Sequence, residues 1–124
     1  MDQNPTEKEL EILQIIWENG PSTVRFVNDQ FQKEGDVGYT TTLKLMQIMT
    51  KKGILKRDTT DKNHIYHAVV QKKKMQNVLT QKFINKVFKG SASQLVLQVL
   101  GNSGATEKEI EEVKQYITKI ENKS

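Results

Sequence analysis

GYTTTLKLMQIMTKKG, residues Gly38 to Gly53, runs directly into Ile54-Leu55-Lys56-Arg57, and the fold turns on how this stretch is read. Thr42, Leu45, Met46 and Met49 recur at i, i+3, i+4 and i+7, the spacing of one buried helical face. The helix takes Tyr39 or Thr40 to Lys52, and Gly53 closes it. Because helix faces repeat every 3.6 residues, Thr40, Leu43, Lys44, Gln47 and Lys51 face outward. Beyond the glycine, Ile54–Thr59 and His64–Val70 are strand-like, the second enriched in Ile65, Tyr66, Val69 and Val70. Thr60-Asp61-Lys62-Asn63 between them is a polar, exposed turn. A polar-faced helix followed by a basic hairpin is the pattern of a winged helix-turn-helix, whose second helix enters a DNA groove.

The sequence upstream supplies the two helices such a fold requires. Thr6-Glu7-Lys8-Glu9 is a capping box, in which the threonine hydroxyl accepts the N3 amide and Glu9 reaches back. Glu7, Glu9 and Glu11 also suit the positive end of the helix dipole. Leu10, Leu13, Ile16 and Trp17 follow with helical spacing and face the core, and Asn19-Gly20-Pro21 stops the helix. Ser22 or Thr23 caps a second helix with a stripe of Val24, Val27 and Phe31, which ends in the polar turn Lys33-Glu34-Gly35-Asp36.

Composition changes past Val70. Gln71-Lys72-Lys73-Lys74 leads into a helix with Met75, Val78, Leu79, Phe83, Val87 and Phe88 on one side, broken at Gly90. Ser91 or Ser93 starts another with Leu95, Val96, Val99 and Leu100, and Gly101-Asn102-Ser103-Gly104 is a loop. A second capping box, Thr106-Glu107-Lys108-Glu109, opens a last helix whose Ile110, Val113, Ile117 and Ile120 have the 3-4-3 spacing of a coiled-coil seam. Three amphipathic helices of this size do not easily form a core of their own. They either fold back on the winged helix or pack against the same helices of a second chain, and the narrow seam favours the second. The expected class is mainly α with a small β-hairpin: a winged helix-turn-helix DNA-binding domain over 1–70 and a helical dimerisation domain over 71–124. Leu79, Phe83, Leu95, Val99, Ile110, Val113, Ile117 and Ile120 are the dimerisation candidates.

The net charge of +4 over 124 residues conceals an asymmetry. Residues 1–43 carry 3 basic and 8 acidic side chains, whereas residues 44–74 carry 9 basic and 2 acidic, a net of +7. Positive charge is thus concentrated on the recognition helix, the wing and the segment after it, where phosphate contacts are needed. A lysine run alone reads better as a solvated face; its coincidence with the recognition-helix pattern changes that weighting.

The outward face of the helix nominates contacts. Thr40, Lys44 and Gln47 are candidates for base edges or nearby phosphates, since lysine suits guanine acceptors, glutamine suits adenine and a threonine methyl meets a thymine methyl. Leu43 offers a similar apolar contact, and Lys51 faces the same way. Thr41, near the helix start, can reach a phosphate with hydroxyl and backbone amides. Thr40 and Thr41 alternatively do no more than cap the helix. Lys56 and Arg57 at the foot of the wing, with Lys62 and Asn63 at its tip, suit backbone contacts, which position without carrying sequence information. Arg57 alternatively pairs with Asp58 or a helix-one glutamate, a surface interaction of little energy.

Other chemistries find no support. With no cysteine there is no disulfide, thiolate metal site or cysteine nucleophile. His64 and His67, three apart on a strand, point to opposite faces and do not easily chelate one metal. No glycine-rich phosphate loop, carboxylate pair or Ser/His/Asp spacing stands out, so neither an enzyme nor a cofactor is expected. No run reaches the ~20 apolar residues of a membrane helix, and the polar, acidic MDQNPTEKEL is no signal peptide, which makes the cytoplasm the default.

Taken in order, Thr6 to Leu13 (TEKELEIL) with Trp17 and Gly20, Thr23-Val24-Arg25, Tyr39-Thr40-Thr41, Lys52-Gly53-Ile54-Leu55, Ile65-Tyr66 and Phe88-Lys89-Gly90-Ser91 resemble the BlaI/MecI family of penicillinase repressors, to which the CopY repressors are related. The resemblance runs from about Asn4 to Ile120; each motif is weak alone, and the ordered set is specific. It implies a homodimer whose winged helices sit on the two halves of a palindromic double-stranded DNA operator and which represses nearby genes. It also implies release by a membrane sensor metalloprotease system, through a cut in the dimerisation region between an asparagine and a phenylalanine. Gln98 and Val99 occupy the matching positions and depart from that pair. The cysteine motif by which CopY relatives bind metal is absent, and Gln47 and Ile48 stand where many members carry arginines, which implies a different operator preference. The competing expectation is a winged-helix protein-interaction module, since fold does not fix function. The basic wing and exposed threonines weigh against it, because protein partners usually meet apolar or aromatic anchors.

Overall fold

In the computed structural model, which describes residues 4–32, 37–102 and 104–123, the element order is α1 (Glu7–Asn19), α2 (Val24–Gln32), α3 (Tyr39–Lys51), β1 (Leu55–Asp58), β2 (Ile65–Ala68), α4 (Lys72–Phe88), α5 (Ala92–Asn102) and α6 (Glu107–Glu121). The turn expected at Lys33–Asp36 and Ser103 of the expected loop lie outside the described residues. The architecture is a winged helix-turn-helix followed by C-terminal helices.

Each helix of the winged unit starts and stops for a local reason. Thr6 caps α1 by accepting the Glu9 amide at 3.2 Å, while the Glu9 carboxylate takes the Thr6 amide at 3.0 Å. Gly20, at φ 87°, ends it in the left-handed region, which a side chain would strain. Of the two possible caps for α2, Thr23 accepts the Phe26 amide at 3.1 Å. Ser22 instead exchanges backbone hydrogen bonds with Tyr66, at 3.1 and 2.8 Å, and so adds a third strand position to the hairpin. Gly53 at φ 83° turns the chain from α3 into the wing.

The hairpin is antiparallel, with Leu55 opposite Ala68, Lys56 opposite His67, Arg57 opposite Tyr66 and Asp58 opposite Ile65. Both strands are shorter than the sequence predicts: pairing stops where the polar turn begins, and at the other end one further bond in the same register, from the Val69 amide to the Ile54 carbonyl at 2.9 Å, lies beyond the strand ends. Ile12, Leu13, Ile16, Val24, Val27, Phe31, Met46, Met49, Ile54, Leu55, Tyr66 and Met75 form one buried cluster. Leu10, Leu45 and Trp17, expected in the core, only pack partly buried against it. Ile12 is fully buried although the periodic reading passes over it: α1 is enclosed over an arc wider than one stripe.

Two polar contacts inside this unit fix helix positions. The Thr42 hydroxyl donates to Asn28 Oδ1 at 2.8 Å, with both residues buried, and ties α2 to α3. Glu9, only 2% exposed, accepts from Lys52 Nζ at 2.8 and 3.1 Å, which holds the end of α3 to the start of α1. A carboxylate this buried is tolerable only because cation and amide satisfy it. The Trp17 indole N–H donates to the Val70 carbonyl at 3.0 Å and anchors the strand leaving the wing.

The chain divides into compact units at Leu79/Thr80, nine residues past the boundary expected at Val70. The first half of α4 belongs to the first unit, since Met75 enters its core and Leu79 packs on it. In the second unit, Lys89 and Gly90 at positive φ separate α4 from α5, which Ser91 caps through the Gln94 amide at 3.2 Å. The expected loop start at Gly101 and Asn102 is instead the last turn of α5. Thr106 repeats the capping box on α6, with the Glu109 amide at 3.1 Å. The apolar residues of this unit stay largely uncovered: neither α5 nor α6 has a buried residue.

Candidate nucleic-acid interface

Helix α3 presents one polar arc to solvent. Thr40, Thr41, Lys44, Gln47 and Lys51 are exposed along it, and Leu43 is half-buried at its margin. Gly38 is the N-cap and makes no side-chain capping bond, so Thr40 and Thr41 are helical residues and not caps. Gly38 itself contributes no side chain to the first-turn amides, and a helix start directs such donors and a positive dipole outward.

The wing divides its candidates between two surfaces. Lys62 and Asn63 at the tip line a groove with Thr23, Arg25 and Phe26 of the α2 start and Tyr39 and Leu43 of α3. This brings the wing tip to the beginning of the recognition helix. Lys56 and Arg57 line a separate hollow with Asp58, Thr60, His67 and Val69. They alternate across the hairpin, Arg57 sharing a face with Tyr66 and Lys56 with His67. Of the helix-one glutamates, Glu9 takes Lys52 and Glu11 takes Lys8.

Arg25 and Tyr39 were legible only as motif residues, yet they stand inside the groove. The Arg25 guanidinium lies 5.1 Å from the centroid of the Tyr39 ring, which orients it beside the start of α3. The signal that would have found them is joint: two consecutive helix starts place their first residues side by side only when α2 and α3 cross. Phe26 and Tyr39 also leave aromatic surface exposed here.

At the wing, Asp58 accepts the Thr60 amide at 3.0 Å and the Thr60 hydroxyl at 2.8 Å. These bonds, the backbone one first, hold its carboxyl below the ordinary aspartate range, with His67 and Lys56 adding smaller charge effects. Among the described residues no cluster of three His, Cys, Asp or Glu could hold a metal, and no helix is long and apolar enough to cross a membrane.

In the second unit Phe83, Val99, Ile117 and Ile120 are exposed, while Leu95, Ile110 and Val113 are half-buried. Leu79 is partly covered by the first unit's core. Phe83 meets Phe88 edge to face at 5.8 Å. Gln98 and Val99 lie exposed within α5, so the bond between them is helical.

Residues 5–119 match the penicillinase repressor family model. The chain is 28% identical over 111 residues to the methicillin resistance regulatory protein MecI of Mammaliicoccus sciuri, covering 90% of each. It is 26% identical over 115 residues to a penicillinase repressor of Staphylococcus aureus, covering 93% of this chain and 91% of that one. With a penicillinase repressor of Bacillus licheniformis it shares 22% over 118 residues, covering 95% and 92%.

Proposed function

We propose that this chain, which belongs to the penicillinase repressor family, binds a palindromic DNA operator as a homodimer and represses transcription until an upstream signal releases it. The observation that carries the reading is the convergence of the α3 arc with the wing tip. Thr40, Lys44, Gln47 and Lys51 share one exposed face, and Lys62 and Asn63 close a groove at its start. Helix α3 lies in the major groove with Thr40, Lys44 and Gln47 toward base edges, Leu43 at the margin, and Thr41 and Lys51 toward phosphates. Lys62 and Asn63 contact the backbone from the tip, with Lys56 and Arg57 farther along the wing.

The dimer forms through the C-terminal helices, where Ile110, Val113, Ile117 and Ile120 supply a seam beside Phe83, Leu95 and Val99. Release follows family precedent, through a sensor metalloprotease system acting on the dimerisation region. Cutting at Gln98-Val99 requires α5 to unwind locally, because a helix does not fit a protease cleft in extended form.

The test is DNA binding to the chain's own upstream region across a salt series. Affinity falls steeply with salt, and Lys44→Ala weakens binding and lowers the salt slope by about one if the lysine meets a phosphate. Undetectable or salt-insensitive binding overturns the proposal. Phe26 and Tyr39, aromatic and exposed at the groove, are the observation favouring a protein partner instead. A footprint over two symmetric half-sites one or two helical turns apart decides for DNA.

A further inference from the structure

Ile48 stands out on the polar arc of α3. It is an apolar, β-branched residue that keeps 38% of its surface exposed to solvent. Solvent-facing helix positions favour straight-chain polar residues, and a β-branched one is a slightly poorer helix former. Single exposed apolar residues are ordinary on protein surfaces and need no explanation by themselves. The surroundings of this one are different. Thr41, Lys44, Ile48 and Lys51 fall at i, i+3, i+7 and i+10, along one row, and all four are exposed. Lysines therefore precede and follow the isoleucine on the same face.

We infer that Ile48 is a specificity-determining residue, seated against the C5 methyl of a thymine in the major groove. The inference rests on the DNA-binding reading above. A helix laid in the groove with Lys44 and Lys51 near phosphates or base edges also buries the side chain between them. Isoleucine cannot hydrogen bond to a base edge, and the apolar group that base pairs present in the major groove is the thymine methyl. Reading residues in a major-groove helix spread over two turns, as the homeodomain set does, so the eight residues from Thr41 to Ile48 lie within the span such a helix uses. Gln47, on the neighbouring side of the arc, is suited to the N6 and N7 of adenine, so the adjacent pair is matched to A·T base pairs.

The position is also held in place. The Ile48 carbonyl accepts the Lys52 amide at 2.9 Å, and the Lys52 ammonium is fixed to buried Glu9. The last turn of α3 is thereby tied to α1. With one strongly preferred χ1 rotamer in a helix, isoleucine loses little side-chain freedom on contact.

The experiment uses the full chain and the duplex it protects in its own upstream region. Each thymine in the protected half-sites is replaced singly by uracil, which removes only the methyl, and affinity is measured by fluorescence anisotropy at fixed salt. One replacement per half-site weakens the unaltered protein about fourfold, the effect of one buried methyl-sized group. Ile48→Ala binds the thymine and uracil duplexes equally at that position, and Ile48→Val keeps most of the discrimination. Thermal melts of both variants establish that they fold, and Ile48→Val carries the test should Ile48→Ala be impaired. Salt-dependent binding with no uracil effect, or undiminished discrimination in Ile48→Ala, overturns the inference while leaving DNA binding standing. Absence of any salt-dependent binding overturns both.

Discussion

The two capping boxes of this chain are the same sequence, Thr6-Glu7-Lys8-Glu9 and Thr106-Glu107-Lys108-Glu109, and they open helices with opposite fates. Glu9 and the residues after it are buried: Ile12, Leu13 and Ile16 enter a core closed by α2, α3 and the wing. On α6 the corresponding apolar residues stay open, with Ile117 49% and Ile120 57% exposed. Identical local chemistry thus starts both helices, while burial is decided by what each meets afterward. The winged unit encloses a core of its own. The C-terminal helices retain a seam that only another surface can cover, which is the physical basis for the proposed dimer.

Four measurements break or sharpen this contrast. Ile117→Asp places a charge in the proposed seam, and sedimentation should show a monomer where the unaltered chain is a dimer, a loss of more than ~100-fold in association. A dimer that survives the change would mean the seam is not the interface. Truncation of one isoleucine in each unit comes next. Ile12→Ala should destabilise the winged unit by about 2–5 kcal/mol, because it opens a cavity in a closed core. In the Ile117→Asp monomer, Ile120→Ala should shift stability by less than about 0.5 kcal/mol, as an exposed site does. Equal costs, followed by denaturant titration, would erase the distinction between the units.

The caps themselves should matter less. Thr6→Ala is expected to lower the stability of the winged unit by about 1 kcal/mol, since the Glu9 amide loses its partner. Thr106→Ala should reduce helical circular dichroism without moving the winged unit's melting transition. The smallest effect lies at the wing. Asp58 has a lowered folded-state pKa, so the order it gives the turn is present above its unfolded value and lost as pH falls through the folded one. The Thr60 amide resonance should therefore titrate below the ordinary aspartate range, and a midpoint at or above it would mean the turn does not hold the carboxylate.

Much of the candidate interface was legible because helix phase is a property of the sequence. Thr42, Met46 and Met49 point inward as their spacing requires, and Thr40, Lys44 and Gln47 consequently point out. The contribution of Arg25 and Tyr39 was not, because their proximity depends on the crossing of α2 and α3. The Lys52–Glu9 pair, separated by 43 positions, was hidden for the same reason. Ile48 is a mixed case: its residue type was visible, but its isolation among exposed lysines appears only once the arc is built.

Sequence by itself determined where α1 and α6 begin, through the caps Thr6 and Thr106, and where α1 and α3 end, at Gly20 and Gly53 with positive φ. It also determined which faces are apolar and where positive charge gathers, because those depend on residues a few positions apart. Tertiary structure alone decided that the first turns of α4 join the winged unit, that Ser22 adds a third strand position beside Tyr66, and that a buried glutamate holds the recognition helix. Each of these joins residues far apart in the chain, where no local periodicity can report which apolar faces and polar groups will satisfy one another.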